Sequence, residues 1–147
     1  MKKTVTFFFA SFALALLNGY FFNYLNDAYF HFNVHQNKYA NISEGELNFI
    51  AIFIAPFVET FLFQYLPYLI LIKWIRLHNN LLCIVIMSVI FASMHSYNWL
   101  YIVMTFFGGI ILNNLYAYYY KHARTYSFIL TVLFHSLFNL YGYLFIV

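Results

Sequence analysis

Five apolar runs, each near the ~20 residues needed to cross a ~30 Å hydrocarbon layer, occupy almost the whole chain. They lie at about 4–25, 48–72, 80–96, 99–120 and 125–147. Between them, only the stretch from Asn26 to Leu47 is longer than a few residues. A water-soluble domain would need about 25% charged residues to cover its outside, and this chain has 7% in 147 residues. The expected fold is therefore all-α: an integral membrane bundle of about five transmembrane helices, in one domain over 1–147. That domain divides into a first helix (1–25), an outer loop (26–47) and a core (48–147). Disorder is excluded by the hydrophobicity, and a disulfide framework by the single Cys83. A nucleic-acid partner is excluded because the seven Lys and Arg sit in small groups between apolar runs.

Charge tests this map independently. Lys2 and Lys3 precede the first run, Lys73 and Arg76 follow the second, and Lys121 and Arg124 separate the fourth from the fifth. Alternating crossings place these six on one side, which the positive-inside tendency makes cytoplasmic. The expected protein is multi-pass in the cell (plasma) membrane, with a cytoplasmic N-terminus, the 26–47 loop outside and Val147 emerging outside. The beginning of the chain also resembles a cleaved signal peptide, with Ala13 and Ala15 as small residues. Apolar character continues to Leu25, past a normal signal core, so a retained helix is expected. Ser11, Ala15 and Gly19 recur every four residues and give that helix a thin packing face.

The third run is short if it ends near Met94, and Ser96-Tyr97-Asn98 would then turn at or just beneath the outer interface. Irregular backbone at that depth needs protein or a water-lined cavity around it. A water path from this turn to the interior is one consequence.

Ten of the eleven charged residues lie at a terminus, in a loop or at a run's end. Glu59 lies inside the second run. A carboxylate at the centre of a membrane helix costs roughly 2.5–3.5 kcal/mol on insertion scales, so it marks either function or a protonated packing group bonded to another helix. His95 closes the third run, and His135 and Asn139 lie one turn apart on one face of the fifth. Counting ~1.5 Å per residue from the basic ends puts all four residues ~14–22 Å deep, within one layer. Pro56 and Pro67 bracket Glu59. Each removes a helix donor and is expected to free the carbonyl four residues earlier, at Ile52 and Phe63, kinking the helix and opening space for water or substrate backbone.

A carboxylate, two imidazoles and a carboxamide in a dry pocket suit water activation. Glu59 can take a proton from water as it attacks an amide carbonyl, a histidine can orient the water, and Asn139 with His135 can donate to the developing oxyanion. Glu59, His95 and His135 also match a Glu-His-His zinc set with an open fourth position. Metal-free and zinc-dependent versions both fit these residues, and no cofactor is required by them. Cys83 has no neighbouring base and reads as packing. Ser136 diverges from His135 by about 100° around the helix and is not its partner. His31 and His35 would bind a metal only if their stretch were helical.

Together the three polar segments resemble the CPBP family of intramembrane proteases, which contains type II CAAX prenyl endopeptidases, bacteriocin-processing and immunity proteins, and abortive-infection proteins. The resembling segments are Glu59-Thr60-(x3)-Gln64, Phe91-(x3)-His95 and His135-(x3)-Asn139, in the family's order across about 48–147. The resemblance implies hydrolysis of a membrane-associated or lipidated, CAAX-like peptide. Glu59 would be the general base, His95 would hold the water, and His135 with Asn139 would form the oxyanion side.

Two positions depart from the family pattern: Thr60 replaces a second glutamate, and Gln64 replaces an arginine. Being one turn apart, Thr60 and Gln64 are expected to hydrogen-bond to each other as a neutral substitute for that ionic support. They also define the alternative reading, a degenerate relative that binds a peptide as an immunity or assembly factor without cutting. A proton or metal carrier would need a continuous polar track, whereas the sequence shows one polar layer.

Overall fold

The computed structural model describes residues 2–32 and 43–145. The expectations for His35 and for Val147 lie outside the described residues. Five helices account for most of the rest. Helix α1 is Lys2–Phe30, α2 is Glu44–Trp74, α3 is Asn80–Ser93 and α4 is Trp99–His122. Helix α5 is Ser127–Phe145, entered through a 3-10 turn at Arg124–Tyr126.

The all-α bundle of about five helices is as expected, including a short third one. Among the described residues four helices are long and apolar enough to cross a membrane, whereas α3 has 14 residues. At ~1.5 Å per residue it spans ~21 Å, which ends inside a ~30 Å layer. The 26–47 loop is shorter than expected, because α1 continues to Phe30 and α2 begins at Glu44. His31 follows in the left-handed conformation (φ 54°), with its N–H bonded to the Asn26 carbonyl, so it terminates α1 and does not extend it.

Polar caps start three of the helices. Ser43 Oγ accepts from the Glu46 N–H at 3.3 Å while Glu46 returns a bond to the Ser43 N–H, a capping box at the head of α2. Asn79 caps α3 through the Leu82 N–H, and Asn98 caps α4 through the Tyr101 N–H at 2.8 Å.

Side-chain contacts fix the helix directions. The Tyr119 hydroxyl donates to the Thr4 carbonyl and Asn18 Nδ2 to that of Met104, so α1 and α4 run antiparallel. Phe8 and Phe12 pack edge-on against Phe134, and Tyr20 meets Tyr141, so α1 and α5 are parallel. Asn139 reaches Ala51 while Tyr65 packs on Phe128, so α2 and α5 are antiparallel. These directions gather Lys2, Lys3, Lys73, Arg76, Lys121 and Arg124 toward one end of the bundle.

Ser11, Ala15 and Gly19 are all buried on one face of α1. In α4, a Cβ on Gly109 would lie 3.2 Å from Phe91 Cδ1 and 3.3 Å from Ser88 Cα, so glycine is what lets α3 approach this closely. The core is in two parts. One, around Tyr68, Cys83, Met87 and Tyr116, joins α2, α3 and α4. The other, around Ala15, Leu112, Leu115 and Phe134, joins α1, α4 and α5. Cys83 is fully buried in the first, as a packing residue should be.

Candidate active site

Helix α2 is widened at three places, Ile50–Ile54, Thr60–Tyr65 and Ile70–Trp74, where hydrogen bonds reach back five residues instead of four. The first two end directly before a proline. Ala55 donates to the Ile50 carbonyl ahead of Pro56, and Leu66 donates to that of Phe61 ahead of Pro67. A wider turn gives the pyrrolidine ring room that a regular turn would deny it. In this register the donor missing at Pro56 would have served Ala51, and the Ala51 carbonyl instead takes the Asn139 amide at 2.8 Å. The freed acceptor is thus one residue earlier than the Ile52 expected for unbroken α-helix.

Between the two widened turns, Glu59 meets both imidazoles. Its Oε2 lies 3.6 Å from His135 Nε2 and 3.8 Å from His95 Nε2. The carboxylate retains 26% exposure, while the facing His95 and His135 side chains retain 17% and 8%, so the carboxylate is the most accessible of the three. His95 is held from behind. Its Nδ1 lies 2.8 Å from the Phe91 carbonyl, an acceptor, so Nδ1 carries a proton and Nε2 faces Glu59. Phe91 is the shared spacer, with its ring 4.4 Å from that of His95 and 6.1 Å from that of His135. Phe63 of α2 braces Phe91 at 5.7 Å.

These groups border a cavity of about 490 Å³ whose lining also includes Ala15 and Asn18 of α1, Ala51 of α2, Tyr101 and Thr105 of α4, and Asn139 of α5. Most of its wall is apolar. From the turn after α3, Tyr97 also lines it. A carboxylate and an imidazole nitrogen 3.6–3.8 Å apart can both reach one water at ~2.8 Å, the spacing that lets a base activate a water held by a second group.

All four residues singled out from the sequence border this cavity. One amide hydrogen is engaged by Ala51, so Asn139 ties α5 to α2 beside the site. The expected Thr60 to Gln64 bond is absent. Both residues are fully buried, and Thr60 Oγ1 and both ends of the Gln64 amide have no hydrogen-bond partner among the described residues. Both lie in the widened Thr60–Tyr65 turn, where the regular α-helical register that the expectation assumed is broken. Asn113, on the opposing α4, donates to Ser88 Oγ at 3.0 Å, and Ser88 passes its own proton to the Ile84 carbonyl.

A Glu-His-His zinc set finds little support in the donor geometry. Among the described residues no group of three His, Cys, Asp or Glu side chains is arranged to hold a metal, and the sealed His135 Nδ1 lacks the acceptor that usually orients a ligating histidine.

Sequence reading passed over Tyr101 and Asn18. Tyr101 is one of fifteen tyrosines, with nothing in its local pattern to separate it. Asn18 did carry a signal: with Asn23 it is one of two carboxamides within the first apolar run.

Comparison with known proteins bears on the same region. No curated protein and no solved structure matched the chain. Residues 47–141, more than half of the chain and containing every group described around the cavity except those of α1, match the family described as type II CAAX prenyl endopeptidase Rce1-like. With four membrane-length apolar helices and a half-buried acid beside two histidines, the chain is a membrane protein belonging to that family of CAAX-type proteases.

Proposed function

We propose that the protein is an intramembrane endopeptidase that hydrolyses a peptide bond of a membrane-associated or lipidated, CAAX-like peptide. One observation carries the reading: Glu59 Oε2 stands 3.6 and 3.8 Å from two imidazole nitrogens at the border of a largely apolar cavity. An apolar wall accepts a lipidated or hydrophobic segment, and the single polar layer confines chemistry to one level.

Glu59 accepts a proton from water as the water oxygen bonds to the scissile carbonyl carbon, and the carbonyl π electrons move onto its oxygen. With Nε2 unprotonated, His95 holds the attacking water through its other hydrogen. His135 Nε2–H faces the carboxylate and keeps it oriented. When the tetrahedral intermediate collapses, the C–N bond breaks and the proton held by Glu59 passes to the departing amine, giving a carboxylic acid and an amine. Every step uses the chain's own groups and none is routed through a metal.

The basic end of the bundle is assigned to the cytoplasm of the plasma membrane by its Lys and Arg content. The N-terminal side is then cytoplasmic.

The test is purified protein in liposomes with a prenylated CAAX peptide, the same peptide without its lipid, and a set of apolar leader peptides, read by mass spectrometry. Cleavage of at least one at a single bond is expected. Binding without cleavage of any would overturn the proposal and leave a peptide-holding protein.

A further inference from the structure

We propose that the Tyr101 hydroxyl donates the hydrogen bond that stabilises the oxyanion during hydrolysis. This rests on the endopeptidase reading above and adds a donor to the one amide hydrogen that Asn139 keeps free.

An accounting of donors around the cavity leads to it. His95 spends its Nδ1–H on the Phe91 carbonyl and turns Nε2 toward Glu59. His135 directs Nε2 at Glu59, and its Nδ1 is sealed from the cavity. The Thr105 hydroxyl is committed to the Tyr101 and Ile102 carbonyls at 2.9 and 3.0 Å. Asn139 and Asn18 each place one amide hydrogen on a main-chain carbonyl of a neighbouring helix, Ala51 and Met104, which leaves each carboxamide a single further hydrogen. Catalysis of amide hydrolysis needs a donor aimed at the oxygen on which charge develops, and removing such a donor typically costs about 10²–10³ in kcat.

Tyr101 meets the requirements. It lines the same cavity as Glu59, His95 and His135. Its ring centroid is 6.2 Å from that of His95. Among the described residues the hydroxyl has no hydrogen-bond partner, yet it is not among the polar atoms sealed away from the surface. The backbone beneath it is fixed, because the Tyr101 N–H is the donor captured by the Asn98 cap. Tyr97 packs edge-on to the ring at 5.1 Å and limits its swing. A phenol held in this way is pre-oriented, and in an apolar pocket its hydrogen bond to an anion is worth more than in water.

In the reaction, water attacks the carbonyl carbon, its proton goes to Glu59, and the oxygen turns from neutral carbonyl to anion while accepting the Tyr101 O–H. The phenol keeps its proton throughout. Collapse re-forms the C=O and releases the amine with the proton from Glu59, so Tyr101 ends unchanged.

Kinetics of Tyr101→Phe in liposomes, with a peptide that the wild type cleaves, test the proposal alongside two binding measurements. The expected result is a ~10²–10³-fold fall in kcat with KM unchanged. Binding of the uncleaved peptide, measured in the Glu59→Gln background, should be unaltered by Tyr101→Phe. Binding of a phosphonate analogue of the tetrahedral adduct should weaken ~10²-fold or more. Wild-type kcat in Tyr101→Phe, or equal weakening toward peptide and phosphonate, would overturn the assignment. Should Tyr101→Phe fold poorly, a fluorinated tyrosine at 101, with a more acidic hydroxyl, takes its place: tighter phosphonate binding supports the donor and unchanged binding refutes it. Full activity of Glu59→Gln would instead remove the endopeptidase mechanism itself, so the two failures are distinguishable.

Discussion

The bond from Asn139 to Ala51 exists, on this account, because Pro56 has no N–H to give, and a double-mutant cycle tests that dependence. Asn139→Ala deletes a 2.8 Å bond between α5 and α2 and leaves the Ala51 carbonyl unpaired. Inter-helix hydrogen bonds in membrane proteins average about 0.6 kcal/mol and reach about 1.7 kcal/mol. The orphaned carbonyl pushes the value toward the upper half of that range, giving a cost of about 1 kcal/mol, roughly a fivefold change in the ratio of folded to unfolded protein. Pro56→Ala restores a donor. Whether the turn stays wide or tightens, a main-chain N–H becomes available to Ala51, so Asn139→Ala in the Pro56→Ala background should cost little. The expected coupling is therefore about 1 kcal/mol, well above the ~0.3–0.5 kcal/mol within which independent sites add. Reversible unfolding of the four proteins in mixed micelles measures it. Simple additivity would refute the link between the proline and the carboxamide.

Gly109→Ala puts a methyl group against Ser88 Cα and the Phe91 ring, so stability should fall by about 1–3 kcal/mol, with reduced cleavage as Phe91 shifts between the two imidazoles. Denaturation midpoints and initial rates check both parts. Gln64→Met removes a buried amide that has no partner among the described residues, so folding stability should hold or rise. A marked fall would reveal a partner for that amide. Cleavage should survive exhaustive chelation followed by gel filtration, because each proposed step uses side chains of the chain; loss that zinc restores would place a metal at Glu59.

How legible the protein was from sequence depended on the range of the interaction. The bundle followed from apolar run length, because a hydrocarbon layer imposes a length on every helix that crosses it. The shortness of α3 was legible for the same reason, from the polar Ser96-Tyr97-Asn98 turn. Glu59, His95 and His135 were found by cost: an ionisable group in an apolar run must have a compensating neighbour, and depth counting showed which neighbours were within reach. The widened turns of α2 were not legible. Proline announces a missing donor, but the choice between a kink and a wider turn depends on packing against α5, which no local pattern encodes. The Thr60 and Gln64 expectation assumed a regular α-helix there, and the structure has a widened turn instead. Tyr101 was invisible because its importance comes from the α3–α4 hairpin carrying it back beside His95.

The most direct measurement of the central claim is the cleavage rate of Glu59→Gln, which keeps the size and hydrogen-bonding capacity of the side chain and removes its ability to take a proton. In liposomes, with a peptide that the wild type cuts and with folding verified by the same melting transition, kcat should fall ~10²–10⁴-fold with peptide binding preserved. A Glu59→Gln protein that cuts at the wild-type rate would contradict the account, since the carboxylate between the two imidazoles would then not be the base.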